Sequence, residues 1–299
     1  MQQVRFLLPT KILFGVGAFN QLGKEANKLG KKAIIVTGSS SMRKTGVLDK
    51  VVKDLNANGV TTVVFDRVES NPRAATVDEG TRLARKEQVD LVIGLGGGSA
   101  MDAAKSIAVA SSGTAPVWDY FSGKAEPKGA LPILLVPTVA ATGSESNNSA
   151  VVTNWETHDK KGIAGRFMQA KVSIVDPQLT LTVPAKPTAQ GGVDIFCHVV
   201  EQYLTTSDPS DVTDGIVETV MRVAVQYLPR VLAKLDDLKA RTELSWASTI
   251  ARSNLAQLGG GIEAGYLTLH EIEHAVSGYY DIAHGDGLAT LMPAWQKKG

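Results

Sequence analysis

The chain has 299 residues, which is enough for two domains. Hydrophobic residues make up 43% and charged residues 20%, the balance of an ordinary globular protein with a sizeable core. Lysine and arginine number 31 and aspartate and glutamate 30, so the formal net charge is +1. With so even a balance and no long basic run, nucleic acid is excluded as an expected partner.

The N-terminal segment gives no export signal, because its apolar stretch is too short for a signal peptide. No apolar run elsewhere is long enough to span a bilayer, so we expect no membrane partner. The single cysteine, Cys197, excludes an intrachain disulfide and a cysteine-based zinc site. These features predict a cytoplasmic protein.

The first half alternates short apolar runs with amphipathic segments. Residues 33–37, 61–65, 91–95 and 133–137 are predicted to be buried strands, since they are rich in β-branched residues and bounded by glycine, proline or charge. Helices are predicted between them, for example at residues 47–57 and 76–87. This alternation indicates a parallel sheet covered by helices on both faces, with ligands at the carboxyl ends of its strands.

A serine-rich loop follows the first of these strands, where an adenosine ribose would lie in a nucleotide-binding sheet. NAD-specific sites often place an acidic residue there, whereas this loop contains Gly38, Ser39 and Ser40, with Arg43 and Lys44 just beyond. The loop therefore favours NADP(H) over NAD(H), and the alternative is a polar turn with solvated charges.

A glycine-rich turn follows the third predicted strand, in the segment LVIGLGGGSAMDAAK. Successive glycines let the backbone approach a phosphate, whose charge the free N–H groups of the next helix can bind. The spacing is neither that of the usual dinucleotide fingerprint nor that of a Walker A loop. A plain strand-to-helix turn, with Asp102 complementing the helix dipole, is the alternative. A polar run at residues 137–145 follows the fourth strand and could line the same cleft.

The strand pattern ends near Pro187, and helical segments follow at residues 189–205, 214–234, 240–257 and 267–279. The segment LTVPAK, residues 181–186, is the best boundary because prolines punctuate it. We predict an α/β dinucleotide-binding domain over residues 1–184 and a helical metal-binding domain over residues 185–299.

A carboxylate and an imidazole share one face of the first helix in this second part. Asp194 and His198 are separated by four residues and project together, with Glu201 one turn further on. The apolar neighbours of these residues indicate a buried helix. Buried polar groups need partners, and a cation is one such partner.

Three more histidines lie within fifteen residues of one another. His270 and His274 again have helical spacing, and His284 follows in a turn that can fold back towards them. One carboxylate oxygen and three imidazole nitrogens suit a divalent first-row metal, which leaves one histidine for proton relay. Each histidine taken alone is equally consistent with a hydrogen-bonded structural residue.

The motifs together resemble those of the iron-containing (group III) alcohol dehydrogenases, closest to the butanol-dehydrogenase-like, NADPH-dependent aldehyde reductases. The resemblance rests on Phe14-Gly15, GGGSAMDAAK, TVAATGSESN, Asp176-Pro177, GGVDIFCHVVEQY, HEIEH and AHGDGLATLMP, so it covers essentially the whole chain. It implies a Rossmann-like parallel α/β domain and an all-α domain, the dehydroquinate-synthase-like superfold. The implied activity is metal-dependent hydride transfer between NAD(P)(H) and a small primary alcohol or aliphatic aldehyde.

The resemblance also implies a role for individual residues. The residues that correspond to metal ligands are Asp194, His198, His270 and His284. The expected metal is Fe(II), with Zn(II) as the alternative. His274 matches a histidine near the metal and is the candidate for proton relay. The residues that correspond to cofactor contacts are Gly38, Ser39, Ser40, Asn71, Gly97, Gly98, Ser99, Asp102, Thr138, Thr142, Asn147, Lys160 and Leu179.

Members of the resembled family continue well beyond the position of Gly299, so the helical domain is expected to be C-terminally shortened. Two alternatives stay open at this point. One is a glycerol-dehydrogenase-like or dehydroquinate-synthase-like enzyme, whose sites typically use three protein ligands. The other is a non-catalytic nucleotide-binding form. The family's habit also implies a homodimer or a larger homo-oligomer.

Overall fold

The computed structural model describes residues 6–206, 209–256 and 267–297. Within these ranges the strands are β1 (Lys11–Phe14), β2 (Lys32–Gly38), β3 (Thr61–Val68), β4 (Leu91–Gly96), β5 (Ile133–Pro137), β6 (Ser149–Asn154), β7 (Asp159–Ala164) and β8 (Val172–Val175). The α-helices are α1 (Leu22–Leu29), α2 (Ser41–Lys44), α3 (Val47–Ala57), α4 (Ala74–Lys86), α5 (Gly98–Ser111), α6 (Val117–Phe121), α7 (Ala185–Thr205), α8 (Asp211–Ala233), α9 (Leu238–Ala251), α10 (Thr268–Tyr280) and α11 (His284–Trp295).

Six strands form one parallel sheet in the order β1-β8-β5-β4-β2-β3. Side chains of a strand alternate between the two faces of the sheet, and both faces are covered. Ile34 and Val36 pack with residues of α4 and α5, whereas Ile35 packs with residues of α1 and α3. All six residues of the central strand β4 are buried, as expected for a parallel sheet between two helical layers.

All four predicted strands are present, but the sequence patterns did not reveal four others. β1 and β8 are only four residues long, which is too short to show a periodic pattern of apolar residues. They are the first two strands at one edge of the sheet. β6 and β7 pair as an antiparallel hairpin outside this sheet. β7 contains Asp159, Lys160 and Lys161 and is mostly exposed, so it lacks the apolar pattern of a buried strand.

No strand follows Pro184 among the described residues, and all regular elements there are helical. The predicted fold, an α/β part followed by a helical part, is therefore confirmed. α7 begins at Ala185, four residues earlier than predicted, and includes Pro187 in its first turn. Proline is tolerated there because its missing N–H would have no partner within the helix. α9 ends at Ala251, earlier than predicted, and Gln257 of that prediction lies outside the described residues. We propose that the domains divide between residues 184 and 185.

α7 is the central helix of the second part. Ile195 and Val199 pack against α8 and α9, while Cys197 packs against Leu269 of α10 and Leu288 of α11. The helix thus has apolar neighbours on two sides, and its buried Asp194 and Glu201 contact His270 of α10. None of the described helices combines the length and apolar character needed to cross a membrane.

Candidate active site and metal centre

Two clefts meet at the start of α5, at the carboxyl ends of the central strands. The first, of about 350 Å³, is lined by residues that end or follow β2, β4 and β5. The second, of about 340 Å³, lies between α5, the β6–β7 hairpin and the histidines of α7, α10 and α11. Gly98 and Ser99 line both clefts. A ligand that passes this point would therefore reach from the sheet to the helical part.

The turn between β4 and α5 leaves helix N–H groups open to a ligand. Gly97, the residue before the helix, provides no side-chain cap, so N–H groups of the first turn have no side-chain acceptor there. Gly96 has a φ of 146°, which strongly favours glycine. A Cβ at Gly98 would lie 2.4 Å from Thr142 Cγ2, so this loop approaches too closely for a side chain. The geometry suits an anionic group at the N-terminus of α5.

The predicted cofactor contacts divide between the two clefts. Those that line the first cleft are Gly38, Gly97, Gly98, Ser99, Thr138 and Leu179. Those that line the second are Asn71, Gly98, Ser99, Asp102, Thr142, Asn147 and Lys160. Ser39 and Ser40 line neither cleft and are exposed beside Gly38 in the loop after β2.

Buried charges on α5 hold the loop between β5 and β6. Asp102 accepts hydrogen bonds from Ser144 Oγ at 2.7 Å and from the Val151 N–H at 2.9 Å, and burial raises its pKa. Lys105 Nζ donates to Asn147 Oδ1 and to the Ser149 carbonyl oxygen, both at 2.8 Å. Burial lowers the pKa of Lys105 to about 8. The sequence analysis missed Lys105, although it lies one turn after Asp102 among small residues.

Three of the four predicted metal ligands converge on a carboxylate oxygen of the fourth, Asp194. Asp194 Oδ1 lies 3.3 Å from a ring nitrogen of His198, 3.4 Å from one of His270 and 3.7 Å from one of His284. The His198 and His270 rings are stacked with their centroids 4.4 Å apart. The structure therefore brings together side chains from α7, α10 and α11.

These donors fit a divalent first-row metal ion. His198 Nδ1 is buried and has no hydrogen-bond partner among the described residues, because its contact with Asp194 lacks hydrogen-bond geometry. An unpaired buried nitrogen is costly, and a cation would satisfy it. Burial lowers the pKa of His198 well below its usual value and that of His284 to about 3. Both rings are thus neutral at pH 7, the form that binds metals.

Glu201 orients one of these rings. It is fully buried, and its carboxylate accepts the His270 backbone N–H at 3.0 Å and lies 3.0 Å from His270 Nδ1. Nδ1 is therefore assigned as the donor, which directs the Nε2 lone pair towards Asp194. Burial lowers the pKa of His270, but the neighbouring carboxylates of Asp194 and Glu201 outweigh burial and raise it overall. The sequence placed Glu201 on the same face as Asp194 without a role.

Two further side chains line the second cleft beside this centre. The His274 ring centroid is 5.5 Å from that of His284, and burial lowers the pKa of His274 well below its usual value. Arg252 was missed by the sequence analysis. Burial lowers its pKa, and the nearby carboxylates of Asp194 and Glu201 oppose that effect. Glu273, also missed, is hydrogen-bonded to His284 Nδ1.

Comparison with known proteins covers both parts of the chain. Residues 9–177 match the family model "Iron-containing alcohol dehydrogenase", and residues 188–298 match "Fe-containing alcohol dehydrogenase family, C-terminal". NADH-dependent butanol dehydrogenase A of Clostridium acetobutylicum is 38% identical over 98% of this chain and 74% of that protein. The NADPH-dependent aldehyde reductase YqhD of Escherichia coli is 33% identical over 97% of this chain and 74% of that protein.

A solved structure gives the same result. The crystal structure of NADH-dependent butanol dehydrogenase A from Thermotoga maritima superposes with a TM-score of 0.95 at 39% identity, over 99% of this chain and 74% of that chain. The resemblance inferred from the motifs is thus confirmed, and the chain belongs to the iron-containing alcohol dehydrogenase family of oxidoreductases.

Proposed function

We propose that this protein transfers hydride between a nicotinamide cofactor and a small primary alcohol or aliphatic aldehyde. The observation that carries the proposal is the convergence of three imidazoles on Asp194. They line the same cleft as Gly98 and Ser99, which belong to the glycine-rich turn that begins α5. Relatives named butanol dehydrogenase and aldehyde reductase support the same reaction class.

The proposed metal is Fe(II), with Zn(II) as the alternative, held by Asp194, His198, His270 and His284. When bound, such an ion supplies Lewis-acid polarisation of the substrate oxygen. The protein's own contribution is to keep the imidazoles of His198 and His284 neutral by burial and to fix the ring of His270 through Glu201. Nitrogen and oxygen donors of this kind accept either metal.

We assign His274 the proton relay between substrate and solvent. A neutral imidazole has one N–H that donates and one free nitrogen that accepts, so it can pass a proton on without a net change of charge. The low pKa of His274, caused first by burial, keeps this neutral form at pH 7. The side chain lines the second cleft, where substrate would enter.

The proposed cofactor lies across both clefts, with the adenosine half in the first and the nicotinamide in the second. We propose a preference for NADP(H), because Ser39 and Ser40 replace the acidic residue that would repel a 2′-phosphate. Arg43 pairs with Asp66 at 2.6 Å, but Arg43 is about half exposed. Exposed ion pairs contribute only about 0–1 kcal/mol, so Arg43 can exchange this partner for a phosphate.

An anaerobic assay tests this proposal. Metal-free protein receives Fe(II) or Zn(II), and the absorbance of NADPH or NADH is followed in the presence of butyraldehyde. We expect metal-dependent oxidation that is faster with NADPH than with NADH. Faster oxidation of NADH would contradict the proposed preference, and no oxidation of either nucleotide would contradict the proposed reaction.

A further inference from the structure

Lys160 joins the second cleft to the helical part of the protein. Its side chain extends from β7 and is only 5% exposed. Nζ donates to Asn71 Oδ1 at 3.0 Å and to Ser277 Oγ at 2.8 Å, and it lies 3.5 Å from Glu273 Oε2. The ammonium group therefore makes two hydrogen bonds and one longer ion-pair contact, to the Glu273 carboxylate.

Glu273 connects this lysine to a proposed metal ligand. Its side chain is completely buried, and Oε2 accepts a hydrogen bond from His284 Nδ1. His284 Nε2 is then the nitrogen with a free lone pair, and it is the nitrogen 3.7 Å from Asp194. Glu273, His274 and His284 also have donor atoms within 4.8 Å of one another. The Lys160 ammonium already supplies a positive charge beside them, so we read this group as an outer layer of the metal centre.

Two glycines let the connected elements pack closely. A Cβ at Gly287 of α11 would lie 2.7 Å from Glu273 Oε1, and a Cβ at Gly278 of α10 would lie 2.7 Å from the His158 carbonyl oxygen. The Lys160 backbone nitrogen would be 3.2 Å from the same added atom. α10 thus approaches β7 and α11 too closely for side chains at these positions, which fixes Glu273 between Lys160 and His284.

We propose that Glu273 is a positioning residue for His284 and that the Lys160–Glu273 pair couples nucleotide binding to metal binding. This inference rests on the proposed function of the two clefts. A nucleotide hydroxyl that takes a hydrogen bond from Lys160 would replace one of these three contacts, and the contact with Glu273, at 3.5 Å, is the longest of them. The carboxylate then acts on His284 alone and makes its ring a stronger ligand.

The sign of the coupling follows from the charges around Glu273. Moving Lys160 away leaves a buried carboxylate with less positive charge nearby, and a bound divalent ion offsets that cost through His284. Metal and nucleotide are therefore expected to bind more tightly together than separately. By thermodynamic linkage, each raises the affinity of the other by the same factor, which we expect to be about 5-fold or more.

Co²⁺ titration of metal-free protein tests both parts of the proposal without measuring turnover. The visible absorption of Co²⁺ gives its Kd and reports on the ligands, and the titration is run with and without saturating NADPH. For Glu273→Gln we expect a Kd about 10- to 100-fold weaker and a shifted absorption band. Lys160→Met should bind NADPH more weakly, because it removes a proposed cofactor contact, and at saturating NADPH it should show no effect of NADPH on the Co²⁺ Kd.

Glu218→Gln is the matched control, since Glu218 also accepts a side-chain hydrogen bond, from Tyr203, but is exposed and lies on α8. It should behave as the wild type does. A wild-type Kd and spectrum in Glu273→Gln would overturn the positioning role. An undiminished NADPH effect in Lys160→Met would overturn the coupling route, even if Glu273→Gln did not fold. Failure of the wild type to bind NADPH or Co²⁺ would instead overturn the proposed function, and this inference with it.

Discussion

Each of two buried carboxylates controls one nitrogen of a proposed ligand ring. Glu201 holds Nδ1 of His270, and Glu273 holds Nδ1 of His284, so the opposite nitrogen of both rings is directed at Asp194. Carboxylate partners of this kind fix the tautomer of a ligating histidine and raise its basicity. The proposed metal centre thus consists of two layers of residues.

Replacement of His270 should remove the metal. His270→Ala deletes one of the converging nitrogens and leaves Glu201 buried without its partner. We expect loss of retained metal after gel filtration and loss of turnover, measured by metal analysis and by the NADPH assay. His158→Ala is the control, because that histidine lies in the turn before β7. A His270→Ala protein with normal metal content and activity would contradict the ligand assignment.

The metal-free protein should lose stability on acidification in part through His284. Burial lowers the folded-state pKa of His284 to about 3, below the unfolded value of about 6.5, so the unfolded state binds a proton first as the pH falls. Its contribution is intact above pH 6.5 and is lost between pH 6.5 and 3. As the pH falls from 7 to 5, the wild type should lose about 2 kcal/mol more unfolding free energy than His284→Asn loses. Urea unfolding of both proteins at both pH values measures these losses. An equal loss in the two proteins would contradict the prediction.

The residue after Gly38 should control nucleotide choice. Ser39→Asp places a carboxylate where the 2′-phosphate of NADPH is proposed to lie, and the same carboxylate can accept hydrogen bonds from the ribose of NADH. We expect the ratio of kcat/KM for NADPH to that for NADH to fall by about 10-fold or more, which corresponds to about 1.4 kcal/mol. Ser39→Asn controls for size. An unchanged ratio would mean that the nucleotide's ribose binds elsewhere.

The turn that begins α5 can be tested as an element. In Gly98→Ala the new Cβ would lie 2.4 Å from Thr142 Cγ2, so either the helix start or the Thr142 loop must shift. We expect the NADPH Kd, measured by fluorescence titration, to rise about 10-fold, with little change in metal content. Gly215→Ala on α8 should bind NADPH normally, because the new Cβ would have no neighbouring atom within 4 Å outside its own helix backbone. Equal Kd values for the two variants would contradict phosphate binding at this turn.

The sequence patterns predicted the strands that are continuous apolar runs, such as β4 and β5, and the longer helices with an apolar face. They failed for β8, which is too short, and for β7, whose lysine is buried by contacts with α10 and Asn71 that are distant in sequence. They also treated Pro187 as the end of a segment, although it lies in the first turn of α7. Local patterns cannot reveal a position that tertiary contacts decide.

The candidate site shows the same division at the level of residues. Helical spacing placed Asp194 with His198 and His270 with His274, and the structure brings His284 back to them. The spacing could not show that Glu273 faces Lys160, because that contact depends on how α10 packs against β7. The proposed metal ligands could be predicted from pattern and family resemblance, whereas their partners required the packed structure.

At the scale of the whole molecule, the two parts are complementary. The first helix turn after β4 provides open N–H groups at the carboxyl edge of the sheet, and the helical part provides buried imidazoles around a buried carboxylate. The two clefts meet at Gly98 and Ser99, so a cofactor bound to the sheet can present its reactive end to the metal centre. Homo-oligomeric assembly and a cytoplasmic location stay predictions from the sequence.

The central claim is that one metal ion per chain, held at Asp194, supports hydride transfer. The most direct measurement titrates Fe(II) anaerobically into metal-free protein while NADPH oxidation by butyraldehyde is followed. The rate should rise from near zero and level off at one Fe(II) per chain. A rate that does not depend on added metal, or no oxidation at any Fe(II) concentration, would contradict the account.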